Sequence, residues 1–290
     1  MDRSIENGFL KASVRQKGAE LFSLVGADGM EYMWQADPDI WGRHAPILFP
    51  VVGKLAHNRY VFEGDTYGLG QHGFARDLIF ESMEVSADSL SYRLLPSPET
   101  REEYPFAFEL IVGYRLEGNA LAICYEVGNN GNGMMPFSIG GHPAFALAWG
   151  KGDRIEDYFL AFEVAESAHT HTLDDDKLLS DITRPVLDNE RELPLRRDMF
   201  DRDALIFLDL KSERVSLCSH KHRRRLTVDF PDFPHLGIWA KPGAAYVCIE
   251  PWYGHVDPAG GDGLLINKPG IITLLPSETF RCMYRISVEA

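Results

Sequence analysis

The C-terminal segment of the chain (279–290, TFRCMYRISVEA) alternates between two kinds of side chain with a period of two residues. One face collects the larger apolar side chains, which are Phe280, Cys282, Tyr284, Ile286 and Val288. Successive side chains of a β-strand point to opposite faces of the sheet, so this alternation is typical of a half-buried strand. A chain built from such strands must pack one sheet face against another layer.

The same pattern recurs as pairs of short runs joined by tight turns. Residues 108–127 contain two runs separated by Glu117-Gly118-Asn119, a connection typical of a β-hairpin. A further pair, VSLCSH and RLTVDF, is joined across residues 221–224. Long helical periodicity is missing, and the best helix candidate, DDDKLLSDI near residue 178, is short. The sequence therefore predicts an all-β sandwich or barrel.

The polar stretch 169–201 carries much charge and little periodicity. It is interpreted as a long surface excursion, because no shift in composition is strong enough to indicate a linker. β-Sandwiches of roughly 200–250 residues commonly form a single unit. Residues 1–290 are therefore predicted to form one domain.

The formal net charge of −14 bears on the binding partners of the chain. An acidic surface repels phosphate backbones and anionic lipid, so neither nucleic acid nor a membrane is an expected partner. The basic turn 221–225 (KHRRR) is interpreted as a solvated hairpin tip. The first residues, MDRSIENGFL, lack the regions of a signal peptide, and no stretch approaches the roughly 18 apolar residues of a membrane span. A cytoplasmic protein is expected.

The cysteines are scattered at Cys124, Cys218, Cys248 and Cys282. None has the C-x-x-C spacing that is typical of zinc sites, and each lies beside apolar residues in a β-like run. Buried free thiols are therefore predicted.

A first cluster of candidate functional residues extends from Trp41 to Asp77. It contains WGRHAPILFPVVGKL and QHGFARD, which carry more His, Arg, Lys and Gly than a plain β core. Gly73 lets the backbone turn, or approach a ligand closely, beside His72. Arg76 can pair with the neighbouring aspartate. A histidine beside glycine also fits a hydrogen-bonded turn, so this cluster alone leaves both roles open.

A second cluster, SIGGHPAFA, surrounds His142. Two glycines before it allow a tight backbone, and Pro143 biases His142 toward an extended conformation. The imidazole is thereby fixed at the end of a strand. Phe137 and Phe145 flank it and are expected to supply apolar walls.

A third cluster, YVCIEPWYGHVD, places Glu250 at the end of a strongly apolar strand. A carboxylate in that position is either buried and paired or faces a cleft. Burial raises the pKa of a carboxyl group, which suits a general base near neutral pH. Trp252 and Tyr253 are candidate platforms for the C–H face of a sugar ring.

In the order QHGFARD, GGHPAF and CIEPW, the three clusters resemble the aldose 1-epimerase family. The APILFP segment before HGFARD is similar to the short bacterial mutarotase-like branch of that family, and the likeness extends from about Trp34 to Asp257. The resemblance implies a galactose mutarotase-like fold, a large twisted antiparallel β-sandwich (supersandwich) with an open concave sugar site. It also implies an isomerase that interconverts the anomers of a hexose.

The resemblance assigns roles to individual positions. Glu250 matches the general base of the family, His142 its general acid and His72 the second histidine at the sugar. Asp203, in DALIF, matches a substrate-binding aspartate. Trp252, the candidate platform for the C–H face of the ring, is a further residue expected to contact the sugar.

One departure from the family pattern concerns the sugar contacts. Galactose-specific members carry an arginine in an N-R-I segment, where this chain has Gly53-Lys54-Leu55. Lysine offers a point charge instead of a planar fork. Arg43 is the candidate to replace the missing contact, and the identity of the sugar is left open.

Interconversion of anomers requires an acid and a base at one ring. The C1 hydroxyl loses a proton while the ring oxygen O5 gains one, and no metal, nucleotide or redox cofactor is required. Glu250 is expected to accept the first proton and His142 to donate the second. A carboxylate beside His142 is expected to keep the imidazole protonated near neutrality.

Three alternatives remain open at this point. A hexose 6-phosphate mutarotase would need basic residues at the pocket rim, for which Arg43, Lys54 and Arg76 are candidates. A carbohydrate-binding protein without turnover would need no acid–base pair. A metal-dependent enzyme could use His72, His142 and Glu250 as ligands. The chain is expected to be a monomer or a homodimer that binds a small sugar.

Overall fold

A computed structural model describes residues 2–289, in which antiparallel strands dominate. The strands, numbered β1 to β24 in chain order, are Arg3–Glu6, Leu10–Val14, Leu21–Gly26, Ile47–Leu48, Arg59–Phe62, Asp65–Gly68, Glu81–Val85, Ser89–Leu94, Phe108–Glu117, Ala120–Asn129, Met135–Phe137, Ile139–Gly141, Ala144–Ala146, Tyr158–Glu166, His169–Leu173, Leu179–Pro185, Glu190–Pro194, Leu205–Phe207, Arg214–Ser219, Arg225–Asp229, His235–Trp239, Tyr246–Tyr253, Ile272–Leu274 and Thr279–Glu289. Short 3-10 turns lie at Ala56–Asn58, Ala75–Asp77, Ile155–Asp157 and Leu265–Asn267.

Two large sheets carry most of the strands. The nine-stranded sheet has the order β17-β14-β19-β20-β24-β10-β9-β8-β7. The eight-stranded sheet has the order β16-β15-β18-β21-β22-β12-β4, with β13 also paired to β22. Strands β1–β3 form a smaller sheet, and the pairs β5-β6 and β11-β23 complete the pairing.

The two large sheets pack face to face. Gly141 of β12 meets Tyr125 and Tyr284 of the nine-stranded sheet so closely that a Cβ atom on it would lie 2.8 Å from the Tyr284 hydroxyl oxygen. Elsewhere, Phe162 of β14 and Phe207 of β18 are in ring contact, with centroids 6.3 Å apart. The predicted all-β sandwich is therefore confirmed. The interpretation of residues 1–290 as one domain stays a prediction.

The hairpins predicted from the sequence are present. Strands β9 and β10 pair antiparallel from Glu117↔Ala120 onward, and β19 pairs with β20. In β24 the predicted face is buried from Cys282 to Val288, while Phe280 is only half-buried. Three cysteines carry buried free thiols, and Cys124 is half-buried.

The helix expected near residue 178 is wrong. Residues 174–178 form a turn in which the Asp174 carboxylate accepts from the main-chain N–H of Leu178 at 2.9 Å, and strand β16 follows. Strand pairing with β15 holds the following residues extended, and Leu179 donates to the carbonyl of Asp257 at 2.8 Å. The stretch 169–201 is correspondingly not a plain surface excursion, because it contributes β15, β16 and β17.

A short α-helix, α1 (Pro98–Glu103), was not predicted. It begins after Ser97, whose hydroxyl accepts from Thr100 N while the Thr100 hydroxyl accepts from Ser97 N, a capping box. The helix itself, PETREE, is short and polar, so it gives no hydrophobic periodicity in the sequence. None of the helices within residues 2–289 is long and apolar enough to cross a membrane.

Candidate active site

A cavity of about 640 Å³ opens on the face of the eight-stranded sheet that points away from the nine-stranded sheet. Its volume falls in the range of roughly 300–1,000 Å³ that is usual for small-molecule sites. Eight residues predicted from the sequence line it: Arg43, Lys54, His72, Arg76, His142, Asp203, Glu250 and Trp252. Trp41 and Gln71, which lie in the first cluster without an assigned role, also line it, as do Lys177 and Trp239, which the sequence did not single out.

Strand β22 sets the direction of two site residues through its alternation. Glu250 and Trp252 are two apart, so both point into the cavity. Tyr253 points the other way and packs against Phe233 and Phe280 in the space between the sheets. The interpretation of Tyr253 as a sugar platform is therefore wrong. Because neighbouring side chains of a strand point to opposite faces, Trp252 faces the cavity and Tyr253 cannot.

The indole of Trp252 lies across two glycines on the flanking strands. A Cβ on Gly237 of β21 would come within 2.3 Å of the indole, and one on Gly140 of β12 within 2.8 Å. Both glycines are paired with this part of β22, Gly140 directly with Trp252. A larger residue at either position would push the indole off the sheet, so the glycines keep the floor of the cavity flat.

His142 lies between the two short strands β12 and β13, which both pair with β22. Its backbone N–H donates to the carbonyl of Pro46 at 3.1 Å. The imidazole is thereby placed beside Glu250, with 3.3 Å between His142 Nε2 and Glu250 Oε1. Residues separated by 108 positions in the sequence thus become neighbours (250 − 142).

Aromatic rings enclose the His142 imidazole, but they are not those expected from the sequence. Phe137 and Phe145 are fully buried in the core between the sheets and do not line the cavity. Trp41, from the loop before β4, stacks on the imidazole with centroids 5.1 Å apart. Trp239 of β21 meets it edge-on at 5.8 Å. The expectation for the two phenylalanines is wrong because they stand on the opposite side of their strands.

Burial controls the protonation of the central pair. It raises the pKa of Glu250 well above its usual range and lowers the pKa of His142 to about 3. The expected protonated His142 is therefore wrong, because desolvation disfavours the ion pair. Both shifts favour the uncharged forms of the two groups. Among the described residues, neither Glu250 Oε2 nor His142 Nδ1 finds a hydrogen-bond partner.

His72 faces the same space from a tight turn. It has a positive φ of 64°, and a Cβ on the following Gly73 would lie 2.2 Å from the carbonyl oxygen of Phe49. The N–H of Gly53 donates to His72 Nδ1 at 3.1 Å. Because an amide can only donate, Nδ1 is unprotonated and the ring proton lies on Nε2. Burial lowers the pKa of His72, which agrees with this neutral form.

The rim of the cavity is charged. Arg43 pairs with Asp77 at 3.0 Å, and Arg76 lies 3.7 Å from the same aspartate. Burial, with the charge of Arg43 as a second cause, lowers the pKa of Arg76 to about 10. Lys54 donates to a main-chain carbonyl at 2.6 Å, and Asp203 is held by a further lysine. Two guanidinium groups therefore share one carboxylate at one end of the cavity.

Comparisons with known proteins agree with this architecture. A sequence model of the family described as aldose 1-epimerase matches residues 2–270. The chain belongs to the aldose 1-epimerase family. It is 34% identical over 302 residues to protein LacX (plasmid) of Lactococcus lactis subsp. lactis, with 99% of each chain covered.

Solved structures of similar proteins support the membership in the aldose 1-epimerase family. A galactose mutarotase related enzyme from Lactobacillus acidophilus is 37% identical, with a TM-score of 0.95 over 100% of this chain and 98% of the other. A galactose mutarotase-like protein from Lactobacillus casei ATCC 334 is 32% identical, with a TM-score of 0.93 and complete coverage of both chains. The galactose mutarotase-like fold implied by the sequence resemblance is thereby confirmed.

The side chains that could bind a metal ion in this aldose 1-epimerase family member are not the three predicted from the sequence, His72, His142 and Glu250. Within residues 2–289, the side chains close enough to share an ion are His142, Cys248 and Glu250, whose ligand atoms lie within 4.8 Å of one another. His72 is not in this group, and its Nδ1 is already an acceptor for the N–H of Gly53. The set of two histidines and a glutamate is therefore not assembled in this structure.

Proposed function

We propose that this protein is an aldose 1-epimerase that interconverts the α and β anomers of a hexose by ring opening. The observation that carries the proposal is the buried pair of His142 and Glu250, 3.3 Å apart in a cavity of about 640 Å³. An acid and a base in contact with one sugar ring are what the reaction needs. Membership in the aldose 1-epimerase family supports sugar as the substrate class.

Ring opening breaks the bond between C1 and O5. Glu250, as carboxylate, takes the proton of the C1 hydroxyl, the electron pair of that O–H bond becomes the carbonyl bond, and His142 donates a proton to O5. Rotation about C1–C2 presents the other face of the aldehyde, and closure reverses both transfers. A positioned proton transfer accelerates a reaction by about 10²–10⁴-fold, and sugars already mutarotate slowly in water. One acid and one base are therefore sufficient.

Burial favours the protonated form of Glu250 and the neutral form of His142, so a proton must pass between them before this step. A sugar hydroxyl that donates to Glu250 Oε2, which has no partner within hydrogen-bonding geometry, stabilises the carboxylate. The proton then passes to His142 Nε2 across the 3.3 Å contact. Sugar binding thus favours the active carboxylate–imidazolium pair.

Other residues would orient the ring. His72 carries its ring proton on Nε2, because its Nδ1 accepts from Gly53. This donor lies 3.2 Å from the Gln71 side-chain amide and, together with that amide, suits the ring oxygen region. Trp252 offers a flat apolar surface supported by glycines, which suits the C–H face of a pyranose. Asp203 lines the cavity and accepts hydroxyl protons.

Polarimetry tests the proposal directly. Freshly dissolved α-glucose and α-galactose are followed with and without the purified protein, and catalysed relaxation to the anomeric equilibrium is expected for at least one of them. Sugar binding without any acceleration would contradict the proposal and favour the non-catalytic carbohydrate-binding alternative. Metal analysis of the same preparation, with activity measured after chelation, tests the metal-dependent alternative, which requires that activity be lost with the metal.

A hexose 6-phosphate mutarotase is a second candidate, favoured by the charge at one end of the cavity. Arg43 and Arg76 lie there, and a neighbouring groove of about 340 Å³ adds Arg15 and Lys17, on a chain whose net charge is −14. Glucose 6-phosphate should then compete far better than glucose, and R43A should abolish that preference while relaxation of free glucose persists. Equal competition by the two sugars would leave the free hexose as the proposed substrate.

A further inference from the structure

Lys177 forms an ion pair at the cavity rim with Asp203, a residue on a different segment. Its Nζ lies 3.0 Å from Asp203 Oδ2, and both side chains line the cavity. Both residues also have positive φ angles, 63° for Lys177 and 96° for Asp203. Non-glycine residues in that region of backbone space are disfavoured and concentrate at functional sites.

The turn that carries Lys177 is fastened to the body of the protein. Leu178 and Leu179, which follow Lys177, pack in one apolar cluster with Trp252. The main chain of Leu179 donates to Asp257 at 2.8 Å and accepts from the N–H of Ala259 at the same distance. The Lys177 backbone is therefore held in place by contacts that do not involve Asp203.

A second tether holds the same turn from across the cavity. Lys54 Nζ donates to the carbonyl of Asp176, the residue before Lys177, at 2.6 Å. Asp174 closes the turn by accepting from Leu178 N through its side chain and from Lys177 N through its carbonyl. With these bonds in place, the ion pair is not required to keep the turn on the rim.

Both partners of the pair keep hydrogen-bonding capacity to spare. The ammonium group of Lys177 has three donors, and the side chain is 59% exposed. Asp203 accepts from Ala204 N at Oδ1 and from Lys177 at Oδ2, and each oxygen has a second lone pair. A donor and an acceptor 3.0 Å apart match the spacing of two adjacent hydroxyl oxygens on a pyranose.

We propose that Lys177 is a substrate-binding residue and that Lys177 and Asp203 together bind a vicinal diol of the sugar. Lys177 Nζ donates to the oxygen of one hydroxyl, and Asp203 accepts the proton of its neighbour. The diol thus bridges the intact ion pair at the rim while the anomeric end of the sugar reaches Glu250. This inference rests on the proposed function, because it takes a pyranose as the ligand.

The test compares K177A with wild type on a hexose and on its monodeoxy derivatives. We expect K177A to raise KM for the parent hexose roughly tenfold with kcat nearly unchanged, since a charged hydrogen bond of this kind is lost. K177A should also stop discriminating against the derivative that lacks the contacted hydroxyl. The matched control is K11A, which removes a lysine from an exposed ion pair with Glu6 at 3.9 Å, outside the cavity.

If the ion pair of Lys177 and Asp203 only stabilises the fold, a different result is expected. Loss of the ion pair would then lower the melting temperature and weaken all sugars of the panel by the same factor. Equal weakening across the panel, or no weakening at all, overturns the proposal. K177M, which keeps most of the side-chain length without the charge, should behave as K177A does.

Binding measurements separate this proposal from the proposed function. Trp41, Trp239 and Trp252 line the cavity, so sugar binding can be followed by tryptophan fluorescence without turnover. Selective loss of discrimination in K177A, on a protein without mutarotase activity, would support the diol subsite and contradict only the enzyme. Mutarotase activity with unchanged discrimination in K177A would contradict only the subsite.

Discussion

Two histidine–carboxylate pairs in this protein have opposite protonation behaviour. In the cavity, His142 Nε2 lies 3.3 Å from Glu250 Oε1, and burial raises the pKa of the glutamate. In the turn between β19 and β20, His222 Nε2 lies 2.9 Å from Asp153 Oδ2, and the pKa of this aspartate is lowered. Both side chains have little exposure, 2% for Glu250 and 3% for Asp153, but Glu250 lies in a fully buried part of the protein and Asp153 in a half-buried one.

The two carboxylates differ in their depth of burial and in the hydrogen bonds that they receive. Asp153 accepts from the Tyr158 hydroxyl at 2.6 Å and from Gly150 N at 2.8 Å, in addition to the histidine. These bonds outweigh the cost of burial and stabilise the charged form. Glu250 Oε2 has no partner within hydrogen-bonding geometry among the described residues, and the nearby Trp252 side chain lowers the pKa of Glu250 less than burial raises it. The Asp153 carboxylate is therefore held charged within the structure, whereas the Glu250 carboxyl is able to exchange its proton with a ligand.

The basic turn 221–225 is a largely exposed hairpin tip, as interpreted from the sequence, but its side chains are also tethered to the rest of the protein. Lys221 pairs with Asp157 at 2.5 Å, and Arg224 pairs with Asp28. Gly150 lies so close to His222 that a Cβ on it would be 2.5 Å from the ring. Three aspartates from two other segments, Asp28 and the loop that carries Asp153 and Asp157, thus bind the turn and fasten the hairpin to the protein.

Replacement of Glu250 should have the largest effect on activity. E250Q keeps the shape of the side chain but cannot accept the C1 proton, so we expect kcat to fall by about 10²–10⁴-fold. Its melting temperature should stay close to that of wild type, because a buried protonated carboxyl is exchanged for a neutral amide. H142N should lose activity to a similar degree. Polarimetry and thermal unfolding of the same samples provide both measurements.

The matched control for E250Q is the equivalent change at the other pair. D153N should relax the sugar at a rate within about threefold of wild type, because Asp153 has no part in the cavity. An E250Q protein with wild-type rates, or a D153N protein as inactive as E250Q, would reverse the assignment of the two pairs.

Replacement of Asp153 should have the largest effect on stability. D153A leaves the Tyr158 hydroxyl, Gly150 N and His222 without their acceptor, and we expect the free energy of unfolding to fall by about 2–3 kcal/mol. Because the folded pKa of Asp153 is lowered, its contribution is complete above the ordinary aspartate value of about 3.9 and is lost as the pH falls through the folded pKa. Urea unfolding at neutral pH and near pH 3 should therefore show that the difference in unfolding free energy between D153A and wild type shrinks in acid. A difference that does not change with pH would contradict its assignment to the ionised Asp153.

The sequence predicted the strands better than the protonation of the site. Alternation identified β24, and the turn at Glu117-Gly118-Asn119 identified the hairpin of β9 and β10, because both signals are local. Residues 174–182 were misread as a helix because the pairing of Leu179 with Asp257 is remote in sequence. Local composition cannot reveal a partner that lies about eighty positions away (257 − 179).

Within the site, the order of three motifs identified the residues that the fold brings together. The motifs did not reveal that Trp41 stacks on His142, since Trp41 comes from an irregular loop without a pattern. Nor did they reveal the neutral state of His142. That state depends on how much water and how many donors surround Glu250, and these quantities exist only in three dimensions.

The pH dependence of activity should show a broad plateau. The catalytic pair shares one proton, and it gains a second only as the pH approaches the lowered pKa of His142, about 3. It loses its proton as the pH rises through the pKa of Glu250, which burial raises. We therefore expect kcat/KM to vary by less than about threefold through neutrality. A narrow bell with limbs near the ordinary glutamate and histidine values of about 4.3 and 6.5 would contradict the shared-proton description.

The smallest expected effect comes from His222, the counterpart of His142. H222Q exchanges the imidazole that contacts Asp153 for a neutral amide of different shape, while the Tyr158 hydroxyl and Gly150 N still hold the carboxylate. A weakened hydrogen bond at a position that is partly exposed should cost at most about 1 kcal/mol of stability. Activity should not change, whereas H142Q should be inactive because its neighbour Glu250 has no other route for the proton. The contrary result is an H222Q protein that is destabilised as much as D153A. That result would mean that His222 alone, and not the three donors together, keeps Asp153 ionised. The contrast between the two pairs would then have to be attributed to His222.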